Sequence, residues 1–145
     1  MDKSMIWRYI SALHRSHQRY LSRVMQPLGI TASEITFVVC LCKIGTGSQR
    51  QLSRELSVDE ALTVRAVKSL EQKGIVRRRR SETDRRQYEV ALTPLGESIR
   101  PQVFASMEEW AGELLSGFSE EEIQLLSAML ETMYQRAGET LQRTM

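Results

Sequence analysis

Apolar residues return at three- and four-residue steps near both ends of the chain, and at two-residue steps once in its middle. Near the start, Ile6, Tyr9, Ile10, Leu13, Tyr20, Leu21 and Val24 make one stripe of an amphipathic helix. Near the end, Ile123, Leu126, Leu130, Met133, Ala137 and Leu141 repeat the pattern. Between them, Tyr88, Val90 and Leu92 alternate with Gln87, Glu89 and Ala91, the signature of a half-buried strand. A shorter apolar run, Ile75 and Val76, precedes four consecutive arginines, Arg77 to Arg80. The two runs predict a β-hairpin whose tip carries Asp84, Arg85 and Arg86.

Helix starts are marked by Ser or Thr followed three residues later by Glu or Gln, the pattern of a reciprocal capping box. Thr31 with Glu34, Ser48 with Gln51, Ser57 with Glu60 and Ser119 with Glu122 fit it, and Thr93 before Pro94 marks a further start. With glycines and prolines as stops, the pattern predicts helices at about 4–26, 32–44, 49–56, 60–73, 94–116 and 120–141. Pro101 falls inside the fifth, where its missing amide hydrogen predicts a kink or a later start. The expected fold is mainly α with one small hairpin.

Residues 48–73 hold a short helix, a turn and a longer helix, the layout of a helix-turn-helix. Leu52, Leu56 and Val58 supply the inner side of the first helix and turn, and Thr63, Ala66, Val67 and Leu70 that of the second. The opposite stripe of the second helix is Glu60, Ala61, Val64, Arg65 and Lys68, with Ser69 beside it. Small residues at 61 and 64 allow close approach to base edges, while Arg65 and Lys68 offer donors to guanine or phosphate.

Charge sharpens this picture. The net charge of +2 is the sum of +4 over residues 1–49, +5 over 50–86 and −7 over 87–145. A basic middle and an acidic C-terminal part suit one surface for a polyanion and another kept away from it. Solvated helix faces would give the same totals, so charge alone leaves both readings open. No run of about 18 apolar residues suggests a membrane span, and the opening residues lack an apolar signal-peptide core, so a cytoplasmic location is expected. No glycine-rich phosphate loop, nucleophile elbow, metalloprotease motif or dinucleotide fingerprint is found, so no enzyme activity and no cofactor are expected.

The hairpin region resembles the MarR family signature. Gly74, Ile75, Val76 and Arg78, then Asp84 and Arg86, then Leu92, Thr93 and Gly96 match the pattern G-[LI]-[VI]-x-R, D-x-R and L-T-x-x-G with its spacings. The resemblance extends to the helix-turn-helix and to the order of six helices. It implies a winged helix-turn-helix regulator with dimerisation helices at 1–30 and 94–145 and a DNA-binding lobe at 31–93. The function it implies is a homodimer that binds a pseudo-palindromic site on double-stranded DNA, most often as a repressor, with half-sites about 34 Å apart. The recognition helix would present Glu60, Ala61, Val64, Arg65, Lys68 and Ser69. The wing would present Arg80, Asp84, Arg85 and Arg86, with Asp84 orienting the Arg86 side chain. Strand alternation sends Arg77 and Arg79 to one side and Arg78 and Arg80 to the other, so one pair is expected to support the fold.

The family often responds to small aromatic ligands, and His14, His17, Tyr20 and Trp110 are candidates to line such a pocket, although residues of these types on helices more often serve simple helix packing. His14 and His17 share a helix face but lack carboxylates nearby, so no metal site is expected. Cys40 and Cys42, two positions apart on a helix, point nearly opposite ways and are expected to be free thiols. Two alternatives to a ligand-released regulator remain. One is a winged-helix module that docks an acidic protein, and the other a thiol- or metal-sensing subtype of the same regulator. The two terminal helices could likewise pack on each other within one chain rather than across a dimer.

Overall fold

The computed structural model describes residues 2–145. Among these, the elements run α1 (Ser4–Met25), a one-turn 3-10 helix (Gln26–Leu28), α2 (Ala32–Ile44), β1 (Thr46–Ser48), α3 (Gln49–Leu56), α4 (Glu60–Gln72), β2 (Val76–Arg80), β3 (Tyr88–Leu92), α5 (Pro94–Leu115) and α6 (Glu120–Thr144). The chain divides into a compact unit ending at Trp110 and a second beginning at Ala111. No single helix among the described residues is long and apolar enough to cross a membrane.

The first unit is organised around α2, whose Ile35, Phe37, Val38 and Leu41 are all at most 1% exposed. Apolar residues surround most of this helix, so it lies inside the unit rather than on its surface. Leu21 and Met25 of α1, Leu52 of α3, Val67 and Leu70 of α4, Val90 of β3 and Val103 of α5 close on it. The predicted α1 stripe therefore divides. Its C-terminal part enters this core, whereas Ile6, Tyr9 and Leu13 remain exposed. In the second unit α6 has no buried residue, and Leu126, Leu130 and Leu141 of its stripe lie open.

The predicted hairpin forms, with Val76 opposite Leu92, Arg78 opposite Val90 and Arg80 opposite Tyr88. A third strand, β1, adds to the far edge of β3 with Thr46 opposite Ala91. Its three residues, Thr-Gly-Ser, carry no alternation and read in the sequence only as a helix stop at Gly47 and a helix start at Ser48.

Three of the four predicted caps form. Ser119 and Glu122 make the full reciprocal box, while Thr31 and Ser48 each accept the amide three residues on. Ser57 does not cap α4. It closes α3 in a left-handed conformation, φ 54°, with its amide turned back to Arg54 and Ser53. Asp59 takes the role instead, accepting from the Leu62 amide at 2.6 Å. Its extended backbone places the carboxylate over the first turn, as an N-cap requires. Pro101 does not delay α5, which begins at Pro94. The Glu34 side chain, which also accepts from the Thr31 hydroxyl at 3.0 Å, receives two hydrogen bonds from Lys73 Nζ at 2.8 and 2.9 Å and so ties the start of α2 to the end of α4.

The base of the wing closes on Thr93. Its hydroxyl reaches the carbonyls of Gly74 and Ile75 and accepts from the Gly96 amide at 3.1 Å, while its own amide donates to Ile75 at 3.0 Å. Gly74 turns the chain out of α4 at φ 74°, a conformation that favours glycine. Gly96 lies against the same carbonyl, so close that an added Cβ would stand 2.2 Å from the Ile75 oxygen. Gly96→Ala must therefore part α5 from the wing base. It should lower stability by about 2 kcal/mol and the thermal midpoint by about 5 °C, despite alanine's better helix propensity. Thr93→Val, which strands the Gly96 amide, should lose about 1–3 kcal/mol. Thermal and urea unfolding check both.

Candidate nucleic-acid interface

The surface of α4 opposite the core is open. Glu60, Ala61, Val64, Arg65 and Lys68 are exposed and Ser69 is half-buried, whereas Thr63, Val67 and Leu70 are fully buried. The buried side is anchored to α3 by a hydrogen bond from Ser53 Oγ to Thr63 Oγ1 of 2.7 Å, in addition to apolar packing. That link fixes the rotation of α4 about its own axis, and with it the direction in which the outer residues face.

The wing separates its arginines as alternation requires. Arg78 is half-buried, lies over the Tyr88 ring at 4.7 Å and pairs with Glu71 at 3.5 Å. Arg80 lies over the same ring at 5.6 Å and donates to the Arg85 carbonyl at 3.4 Å. Arg80, placed by the sequence among the outward contacts, is thus engaged within the wing. Arg77 and Arg79 are exposed on the other face, beside Thr46, Glu89 and Ala91.

At the tip, Asp84 Oδ1 accepts from the backbone amide of Arg86 at 3.0 Å. The Asp84 carbonyl takes the Gln87 amide at 3.0 Å, and the Asp84 amide donates to Ser81 Oγ at 3.3 Å. Asp84 therefore shapes the turn of the backbone rather than holding the Arg86 guanidinium, as the sequence had suggested. The reason is local: a carboxylate two residues before an amide closes an Asx turn more readily than it reaches a long side chain. Arg65, Lys68, Arg85 and Arg86 take part in no ion pair among the described residues. Their charge faces solvent unneutralised.

Tip and helix meet at a polar groove of about 170 Å³ lined by Ser48, Gln49, Arg50, Glu60, Arg86, Gln87 and Tyr88. Here Arg50 Nε lies 3.4 Å from Glu60 Oε1. Arg50 was not among the residues singled out from the sequence. Only the approach of α3, α4 and the wing brings it beside Glu60 and Arg86.

Comparison with known proteins agrees with this arrangement. Residues 30–88 match the model of the MarR family. The chain is 30% identical over 132 residues to the HTH-type transcriptional regulator BilQ of Clostridium symbiosum, covering 91% of this chain and 89% of that protein. The chain belongs to the MarR family. It is a winged helix-turn-helix transcriptional regulator. Its fold matches a MarR transcriptional regulator from Methanosarcina mazei at a TM-score of 0.90 and 32% identity, over 95% of this chain and 99% of that one. A mutant MarR of E. coli complexed with operator DNA also matches, at a TM-score of 0.79 and 26% identity, over 88% and 92% of the two chains.

The aromatic residues considered for a ligand pocket fill one another's space. Trp110 stacks on His17, with ring centres 5.6 Å apart, and on Tyr20 at 4.9 Å, and the Tyr20 hydroxyl donates to Glu109 at 3.3 Å. Burial pushes the His17 imidazole below its ordinary value, and the neighbouring His14 adds to the shift. An apolar cavity of this MarR-family regulator lies elsewhere. It measures about 250 Å³ and is lined by Leu21, Ile35, Thr36, Val39, Cys40, Lys43, Glu55, Leu56 and Met107. None of His14, His17, Tyr20 or Trp110 lines it. The flat rings pack on one another, whereas the cavity remains where smaller residues of α1, α2, α3 and α5 leave a gap.

Cys40 lines that cavity and is buried; Cys42 is half-buried, and both are free. Burial pushes both thiols up. Glu55 raises Cys40 further against Lys43, whereas Arg100 partly offsets the rise at Cys42. A raised thiol carries less thiolate near neutral pH, and thiolate is the nucleophile. Iodoacetamide at pH 7.5 should therefore label both cysteines of the native protein roughly tenfold or more slowly than free cysteine. Mass spectrometry of the time course checks this, and rapid labelling of Cys40 would revive the thiol-sensing subtype.

Proposed function

We propose that this chain is a homodimeric, sequence-specific double-stranded DNA-binding regulator that acts as a repressor on a pseudo-palindromic operator. The observation that carries the reading is the groove that unites Glu60 of α4 with Arg86 of the wing, beside the unpaired Arg65 and Lys68. An exposed helix with a small, partly basic outer stripe suits the major groove, and an unpaired guanidinium at a hairpin tip suits a narrow minor groove. The operator complex of the related E. coli protein lends support. The protein-docking alternative gains nothing from this geometry, since an acidic protein needs no such pairing of helix and tip.

The homodimer is supported by uncovered apolar surface. Ile6, Trp7, Tyr9 and Leu13 of α1 are exposed, as are Leu125, Leu126, Met129, Leu130, Tyr134 and Leu141 of α6. Apolar rows of that length need cover in water, and a second copy supplies it by symmetry. We further read the 250 Å³ cavity as the place for a small aromatic effector whose binding releases DNA, with Lys43 at its rim for an anionic group. Thermal shifts with a panel of aromatic acids, absent in Val39→Trp, check that part.

Fluorescence anisotropy against a duplex enriched from a random pool tests the rest. Arg86→Ala should weaken binding about tenfold or more and lower the salt slope of the dimer by about two, one for each half-site. Arg65→Ala should change base preference by about 1–3 kcal/mol at one position per half-site. Leu130→Glu should convert a species of twice the 16.7 kDa chain mass into a monomer by light scattering, and weaken binding with it. A wild-type protein that enriches no sequence would overturn the reading.

A further inference from the structure

Arg50 differs from the other cations around the groove. Among the described residues Arg65, Lys68 and Arg86 carry no ion pair, whereas Arg50 is held by Glu60 at 3.4 Å. Both side chains of that pair are about two-thirds exposed, 66% and 65%, so a competing partner can part them. Beside them, Gln49 lines the same groove, and its Nε2, turned away from solvent, has no hydrogen-bond partner among the described residues. A buried donor left unpaired is costly, and an oxygen-bearing occupant would satisfy it.

Resting on the DNA-binding reading above, we propose that Arg50 and Glu60 form a sequence-dependent latch. In free protein, and on a wrong sequence, Glu60 holds Arg50 off the DNA backbone. A carboxylate at the first turn of a recognition helix is an acceptor for the amino group of cytosine in the major groove, and it is repelled by phosphate. Where a cytosine is presented, Glu60 turns to its amino group and Arg50 is freed. Arg50 and Arg86, which both line the groove, then close on one phosphate, and the Gln49 amide turns outward to donate to its oxygen. Base identity is thus converted into backbone affinity. The acidic residue that weakens non-specific binding is the one that rewards the correct base.

A double-mutant cycle tests the latch, using a duplex enriched by the full-length wild-type protein and a shuffled duplex of the same composition. Glu60→Ala should bind the shuffled duplex about tenfold more tightly and lose about tenfold of the enriched-to-shuffled ratio. The lost preference should fall at one cytosine in each half-site. Arg50→Ala should weaken the enriched duplex more than the shuffled one and lower the salt slope on the enriched duplex alone by about two, one for each half-site. On the Arg50→Ala background, Glu60→Ala should no longer tighten shuffled DNA. Equal effects of Glu60→Ala in both backgrounds, or an Arg50→Ala loss identical on both duplexes, would overturn the latch while leaving the DNA-binding reading intact. Failure of the wild-type protein to enrich any duplex overturns both. Both residues are exposed, and unchanged thermal midpoints confirm that the variants fold.

Discussion

The end of α4, the start of the wing and the start of α5 each bring one backbone group within reach of a single hydroxyl. Thr93 links the carbonyls of Gly74 and Ile75 to the amide of Gly96, and the missing side chain of Gly96 lets α5 lie directly against the Ile75 carbonyl. A hairpin alone is marginal in water and would move freely relative to the helix before it. Held at its base, the wing keeps a fixed angle to α4, so Arg86 and Glu60 can border the same groove. The glycines and threonine of the family signature are therefore structural, and they matter to function because they aim residues they do not touch.

Two further links act in the same sense. Ser53 with Thr63 sets the rotation of α4 on α3, and Lys73 with the buried Glu34 pins its far end to α2. Polar links inside a core stabilise less than apolar packing, but their directionality selects one orientation. The arginines follow the same division. Arg78 and Arg80 stack on Tyr88 and stiffen the hairpin. Arg85 and Arg86 beyond them are left uncompensated, which keeps their field directed outward.

What could be read in the sequence was what repeats or punctuates. Alternation gave the β3 strand and the division of the four arginines, and the three- and four-residue steps gave both terminal helices. The inner stripe at Thr63, Val67 and Leu70 was legible for the same reason. Features without a period were not. The three residues of β1 acquire meaning only beside Ala91, and the Asp59 cap is hidden by a better-spaced Ser57 that the turn uses otherwise. Arg50 comes beside Arg86 through folding alone. The cavity, likewise, is the space left over when four helices pack, and stacking takes His17, Tyr20 and Trp110 away from it.

The central claim is that α4 and the wing tip together form one DNA-reading surface, aimed by the joint at Thr93. Hydrogen exchange of the protein with and without an enriched duplex tests it most directly. The account predicts new protection over 60–69 and 82–87, with both segments protected at the same duplex concentration. Protection confined to α6, or of one segment without the other, would contradict it.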